Sequence, residues 1–263
     1  MIAKELQPRS GFEAPRPVIS FVVPAFNEER LIGATLSALD AMARSIGEVY
    51  EIIVADDGST DRTAAIAREH GARVVTVAHR QIAATRNSGA RAAVGDLLFF
   101  VDADTLVDPT VMRAALDALR GGAVGGGAAV AFDGEVPLYA KLLLPLLVLV
   151  FRTLRLAAGC FLFCTRSAFV ATGGFDESFF GAEELVMSTA LKRHGRFVVL
   201  RQAVMTSGRK LRTHSAWEIV RLLGRLALRG TGAIKQRQGM ELWYGERRDD
   251  AHDAAERQTN TLR

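Results

Sequence analysis

The residues whose types and spacing could do chemistry are acids. Asp102-Ala103-Asp104 closes the apolar run Leu97-Leu-Phe-Phe-Val101. Two carboxylates flanking a small residue repel one another unless a cation sits between them. Oxygen donors of this kind select hard divalent ions such as Mg²⁺ or Mn²⁺, which keep positions open for water and substrate phosphates. An Asp-x-Asp triplet also occurs as plain loop carboxylates or helix caps, and only its place at a strand end separates the two readings. A second pair, Asp56-Asp57, ends the run Tyr50-Glu-Ile-Ile-Val-Ala55, and a third, Glu183-Glu184, opens a helical stretch. Acids in a first helical turn are also favoured by the helix dipole, so that pair has a structural reading beside a catalytic one. Nucleotide chemistry of two common kinds is excluded. The turn after the first strand, Pro24-Ala-Phe-Asn-Glu28, has no glycine for a dinucleotide fold, and no GxxxxGK[ST] phosphate loop is present.

The elements that must position these acids follow from periodicity. Val18–Val23 is short, apolar and β-branched, a buried strand ended by Pro24. Leu31, Thr35, Leu39 and Met42 recur at helical spacing. A strand at Tyr50–Ala55 leads to a helix over Arg62–His70, capped by Asp61 and stopped by Gly71. Strands at Val74–Val77 and Leu97–Val101 bracket an Ala- and Arg-rich helix over Ile82–Val94, and Pro109 sits early in a helix before Val111–Leu119. This alternation predicts βαβ units and a mostly parallel sheet, whose ligands bind at the carboxyl ends of the strands. The first, second and fourth strands all end in acid-bearing loops. The second half is less regular. Gly121–Gly127 reads as tight turns and a flexible strand edge before a strand at Ala128–Phe132; Gly159–Thr165 reads as a strand, Gly173–Glu177 as a turn, Glu183–His194 as a helix and Phe197–Leu200 as a strand. Trp217–Arg229 carries Ile219, Leu222, Leu223 and Leu226 on one helical face and Arg221, Arg225 and Arg229 on another.

Composition bounds the rest. The 263 residues hold 33 Lys+Arg and 29 Asp+Glu, a net charge of +4. That thin surplus is not the basic stripe of a nucleic-acid binder. With 49% hydrophobic and 24% charged residues the chain is globular. Two cysteines, Cys160 and Cys164, exclude a disulfide framework and suit a reducing compartment. In their apolar, strand-like setting they read as buried thiols. Residues 1–17 lack the apolar core of a secretory signal and read as a polar lead-in, which makes a cytoplasmic protein the expectation. The run Leu142–Phe151 would be about 15 Å long as a helix, half of a bilayer core. It reads either as buried core or as a segment lying on a membrane surface, at the inner face. A full span is disfavoured by Arg152 and Arg155.

Val22-Val-Pro-Ala-Phe-Asn-Glu-Glu29, Val54-Ala-Asp-Asp-Gly-Ser-Thr-Asp61, Arg86-Asn-Ser-Gly-Ala90, Phe100-Val-Asp-Ala-Asp104 and Gly174-Phe-Asp-Glu177 followed by Gly181-Ala-Glu-Glu184 together resemble an inverting family 2-type glycosyltransferase. The likeness covers roughly residues 18–200. It implies one α/β domain of the GT-A fold, with helices on both faces of a mostly parallel sheet. The domain is expected over 18–210: a nucleotide-sugar-binding half at 18–120, an acceptor half at 121–210, and an amphipathic helix and polar tail at 211–263. It implies that Pro24, Ala25, Asn27 and Glu28 form the first loop at the nucleoside. Asp56 and Asp57 would be the acids near base and ribose, where a carboxylate accepts from N–H or hydroxyl groups. Arg86 and Asn87 would be further nucleotide contacts; Arg86 would offset diphosphate charge or pair with Asp102, and its other reading is a plain surface residue. Asp102, Ala103 and Asp104 match the metal triplet, with Asp104 the better direct ligand of Mg²⁺ or Mn²⁺. Family relatives end the later motif in Glu-Asp and use the second acid as base; here Glu184 inherits the role, with Glu183 beside it. Phe26 replaces a common Tyr. Arg209-Lys210-Leu-Arg212 reads as a lid over the diphosphate or as a solvated basic loop. The partners implied are a nucleotide-diphosphate sugar and an acceptor, lipid-linked or soluble, with peripheral membrane contact in the first case. A nucleotide-sugar-binding protein without catalysis and a nucleotidyltransferase are the rival readings; the latter normally has a glycine-rich basic phosphate loop near its N-terminus.

Overall fold

A computed structural model describes residues 18–157 and 159–213, together with residue 235. The predicted amphipathic helix at Trp217–Arg229, the lead-in at 1–17 and the polar tail lie outside these. The elements run β1 (Ile19–Ala25), α1 (Ile32–Ile46), β2 (Tyr50–Asp56), α2 (Thr63–Glu69), β3 (Arg73–Thr76), α3 (Ile82–Ala92), β4 (Leu97–Val101), β5 (Thr105–Leu106), α4 (Pro109–Arg120), β6 (Ala123–Phe132), α5 (Leu138–Leu154), β7 (Phe161–Thr165), α6 (Arg166–Thr172), α7 (Glu183–Lys192), β8 (Arg196–Thr206) and α8 (Arg209–Thr213).

The strands form one sheet in the order β3-β2-β1-β4-β7-β6-β8-β5. β1, β2, β3 and β4 are parallel neighbours, as are β6 and β8, while β7 runs antiparallel between β4 and β6. Side chains alternate across the strands, so each strand supplies two cores. Phe21 and Val23 of β1, with Phe99 and Val101 of β4, pack against Leu36, Leu39 and Met42 of α1 and Val111, Met112 and Leu116 of α4. Val22, Leu98 and Phe100 face the other way, onto Ala83 and Ala90 of α3, Phe169 of α6 and Met187 and Leu191 of α7. Apolar residues on both faces are why these runs read as continuous rather than alternating.

The first half follows the sequence expectation closely. Asp61 Oδ1 accepts from the Thr63 N–H at 2.9 Å as α2 begins, and Asp108 caps α4 by accepting from the Thr110 N–H at 2.7 Å, with Pro109 in its first turn. The second half departs from the expectation in detail. Of the glycine-rich stretch, Gly121 and Gly122 form a turn, while Gly125, Gly126 and Gly127 lie inside β6. A Cβ on Gly126 would sit 2.5 Å from Phe163 Cζ and 2.5 Å from the Val198 carbonyl oxygen, so the glycines let β7 and β8 close on either side of the strand. An unpredicted helix, α6, follows β7 and is capped by Thr165, whose hydroxyl accepts from the Ala168 N–H at 3.2 Å. The run Leu142–Phe151 belongs to α5, and at its C-terminal end it is not core. Leu149 and Leu154 are 61% and 56% exposed, and Val150 is exposed beside them. Among the described residues no helix is long and apolar enough to cross a membrane.

Candidate active site

β1 pairs with β2 in a register that sets Ala25 opposite Asp56, and with β4 on its other side. The carboxyl ends of all three strands therefore lie side by side. The loop after β1 and the loop after β2 are tied together. Asn27, in the left-handed region at φ 51°, accepts from the Thr60 N–H through Oδ1 at 2.9 Å and donates its own N–H to Ser59 Oγ at 2.9 Å. Ala25 accepts from the Asp57 N–H at 2.8 Å. Glu28 is buried, and its carboxylate receives Arg209 Nη2 at 3.1 Å. Arg209 thus anchors α8 to the first loop; the Lys210 side chain is outside the described set. Arg80, which periodicity could not single out, lays its guanidinium 3.6 Å over the Phe26 ring.

The adjacent acids after β2 have different work. Asp57 is saturated: Oδ1 accepts from the N–H groups of His79 at 2.7 Å and Arg80 at 2.8 Å, and Oδ2 from the Gln81 N–H at 3.0 Å and the Thr85 hydroxyl at 2.9 Å. It holds the entry to α3. Asp56 is equally buried, yet its Oδ1 has no hydrogen-bond partner. A buried carboxylate oxygen without a donor is costly, and it is expected to be met by a ligand.

Asp102, Ala103 and Asp104 leave β4 as the sequence predicts. Ala103 is buried, and its carbonyl accepts from the Thr35 hydroxyl at 2.8 Å. Asp104 is half-buried. Its Oδ1 takes the hydroxyls of Thr206 at 3.2 Å and Thr105 at 3.4 Å, and its carbonyl takes the Ser207 N–H at 3.1 Å. Its Oδ2 receives no hydrogen bond among the described residues. No cluster of three or more His, Cys, Asp or Glu residues suited to a metal occurs among them. The donor set is two hard carboxylates with one uncommitted oxygen. That fits a divalent ion sharing its coordination with phosphates and water, not an all-protein cage.

Asp102 Oδ1 accepts from Arg86 Nη2 at 2.7 Å. The guanidinium is 2% exposed, which removes the reading of Arg86 as a surface residue. Its Nη1 donates to Glu183 Oε1 at 2.8 Å and Glu184 Oε1 at 2.5 Å, and Nη2 donates also to the Gly159 carbonyl at 2.9 Å. Both glutamates begin α7, behind Ala182 in a left-handed conformation at φ 55°. Asn87 does not face the same group. Its amide donates to the Phe175 carbonyl at 2.9 Å and accepts from the Phe175 N–H at 2.9 Å, clamping the turn that leads to α7. Gln81 donates to the carbonyls of Glu177 and of Phe179, the latter at 3.1 Å, and fastens the same turn. Gly159 is a further residue that spacing alone did not mark: a Cβ there would lie 2.8 Å from Glu184 Oε1.

The two glutamates are not electrostatically equal. Burial, with the Glu184 charge alongside, pushes the Glu183 carboxyl up to about 8, against the pull of Arg86. Burial acts on Glu184 too, but Arg86 outweighs it by charge and hydrogen bond and holds that carboxyl below its ordinary value. Burial thus favours the protonated form at Glu183, and Arg86 favours the carboxylate at Glu184. The Glu184 side chain is also the more open of the two, 11% exposed against 3%. Burial pushes both Cys160 and Cys164 thiols far up, so they are inert packing groups.

Comparison with known proteins fits this geometry. Glycosyl transferase family 2 matches residues 20–171. The chain belongs to this family. Validoxylamine A glucosyltransferase of Streptomyces hygroscopicus subsp. limoneus is 29% identical across 82% of the chain, which spans 57% of that protein's length. An undecaprenyl-phosphate 4-deoxy-4-formamido-L-arabinose transferase of Pseudomonas paraeruginosa is 37% identical across 34% of the chain and 29% of its own length. Among solved structures, the mannosyltransferase PcManGT of Pyrobaculum calidifontis, in complex with GDP-Man and Mn²⁺, superposes with a TM-score of 0.63 at 19% identity, covering 95% of this chain and 81% of that one. S. aureus TarS in complex with UDP-GlcNAc gives 0.57 at 18% identity, covering 81% and 67%. The family 2 chain has the GT-A fold that its motifs imply.

Proposed function

We propose that this family 2 chain transfers a sugar from a nucleotide diphosphate to an acceptor hydroxyl, with inversion at the anomeric carbon and dependence on a divalent metal. One observation carries the reading. Arg86 brings Glu184 to the same guanidinium as Asp102, two residues before Asp104. A base candidate and a metal-side acid therefore share one site at the strand ends.

The residues divide the work as follows. Asp56 offers its unpartnered Oδ1 to a nucleobase N–H or a ribose hydroxyl. Asp104, with Asp102, would hold the metal, which when bound offsets negative charge on the departing diphosphate. Glu184 accepts the proton of the acceptor hydroxyl as its oxygen bonds to the anomeric carbon. The bond from that carbon to the diphosphate oxygen breaks on the opposite face, through an oxocarbenium-like transition state as in hydrolysis. Glu183 is the more deeply buried of the two and is pushed toward its protonated form, which makes it the weaker candidate.

A panel of nucleotide sugars, scored for nucleotide release with Mg²⁺ and Mn²⁺, tests the reading. Turnover lost in Glu184→Gln and kept in Glu183→Gln is expected. Donor binding without turnover under every condition would favour the binding-only alternative.

For the acceptor we favour a lipid-linked one. Support comes from the exposed Leu149, Val150 and Leu154 of α5, flanked by exposed Arg152 and Arg155, an apolar and cationic surface that suits anionic lipid. The arabinose transferase relative carries a lipid phosphate in its name. Flotation with anionic liposomes at low salt should carry the protein upward, and Leu149→Asp with Leu154→Asp should abolish this. No association of the wild type would remove the lipid reading.

A further inference from the structure

We propose that Arg86 is a positioning residue, which fixes the base and the metal-side carboxylate in one frame and makes no contact with the donor. This rests on the functional reading above and departs from the nucleotide contact that family resemblance implies for the position.

A guanidinium has five N–H groups in a fixed planar fork. The two on Nη1 go to Glu183 and Glu184, and the two on Nη2 go to Asp102 and the Gly159 carbonyl. The one left, on Nε, is buried and without a partner. No outward-facing donor remains for a diphosphate. The group is also enclosed: the Phe175 ring lies 5.4 Å from its carbon, and the side chain is 2% exposed.

What the fork accomplishes is specific. Glu183 and Glu184 lie 97 and 98 positions along the chain from Arg86, and Asp102 lies 16. Ionised Glu184 and Asp102 repel each other, and a planar cation between them turns that repulsion into a fixed spacing. The backbone around the fork reinforces it. Asp57 sets the start of α3, and Asn87 clamps the turn before α7. Distance between base and leaving group is a quantity to which rate is steeply sensitive, since a 1 Å misplacement can cost about 100-fold.

Arg86→Lys tests this, because an ammonium is a point charge that cannot hold three carboxylates in one plane. The measurements are kcat with the donor found active in the panel, the Kd of UDP and of GDP in Mn²⁺, and thermal unfolding. The expected result is a folded protein whose kcat falls about 100-fold while nucleotide Kd changes less than about threefold. A role in stability alone would lower the unfolding temperature and leave kcat per folded site unchanged, which would overturn the proposal. Nucleotide affinity weakened tenfold or more would overturn it in favour of a direct donor contact. If Arg86→Lys does not fold, Arg86→Lys with Glu183→Gln removes one of the acids to be satisfied and is read in the same way. Wild-type protein that neither binds nucleotide nor turns over would instead defeat the underlying functional reading, and an active Glu184→Gln would defeat the assignment of the base.

Discussion

At the scale of single residues, neighbours in sequence take opposite parts. Asp56 and Asp57 are the same side chain on successive positions, yet one has a bare buried oxygen and the other is saturated. Asp57→Ala strands the buried Gln81 N–H and Thr85 hydroxyl and should cost about 3 kcal/mol in denaturant unfolding. Asp56→Asn should shift stability by less than about 1 kcal/mol and weaken nucleotide binding about tenfold. Equal losses of stability from both would contradict this division. Glu183 and Glu184 differ likewise, and the sign of their pH dependence follows. Glu183 has a folded value raised to about 8 from an ordinary 4.5. The unfolded chain releases this proton near 4.5 and the folded chain keeps it, so stability from Glu183 is complete below 4.5 and is lost as pH rises toward 8. Glu184 is lowered, so its contribution is present above 4.5 and is lost in acid. Between pH 5 and 8 the Glu183 slope approaches ~1.4 kcal/mol per unit. Denaturant melts across this range should be flatter for Glu183→Gln than for the wild type; parallel curves would refute the buried proton. Gly159 adds a third test. Gly159→Ala sets a methyl against the Glu184 carboxylate, and turnover should fall at least tenfold with the unfolding temperature little changed.

At the scale of elements, the strands that carry the site were readable because they are apolar on both faces. β1, β2 and β4 appear as continuous β-branched and aromatic runs, and their ends coincide with the acids. Where packing, not propensity, decides, sequence carries little signal. β6 is built on Gly125, Gly126 and Gly127, residues poor in intrinsic strand preference, and only the closeness of β7 and β8 explains them. Gly126→Ala should therefore destabilise by about 1–3 kcal/mol through overpacking, measured by denaturant unfolding; a neutral effect would mean the strands can part without cost. α6 is a short helix held by its Thr165 cap and by Phe169 against the sheet, and its sequence carries no long periodic stretch. The links across the site were equally hidden. Nothing in the sequence joins Arg86 to Glu184, Gln81 to Phe179 or Arg209 to Glu28, since each pairing exists only once the sheet has formed.

At the scale of the molecule, the parallel strands gather acids at one edge, and one buried arginine ties Asp102 there to Glu183 and Glu184 at the start of α7. The small net charge of +4 hides this concentration. The apolar, cation-flanked end of α5 is a separate feature of the second half of the chain, and its role is tested by lipid binding and not by donor chemistry. Titration of UDP and of GDP, with and without Mn²⁺, against the wild type and Asp104→Asn is the most direct measurement of the central claim. Saturable binding of one nucleotide that needs the metal in the wild type and is lost in Asp104→Asn is the predicted result. No binding of either nucleotide, or binding indifferent to both the metal and Asp104, would contradict a nucleotide-sugar site at this edge of the sheet.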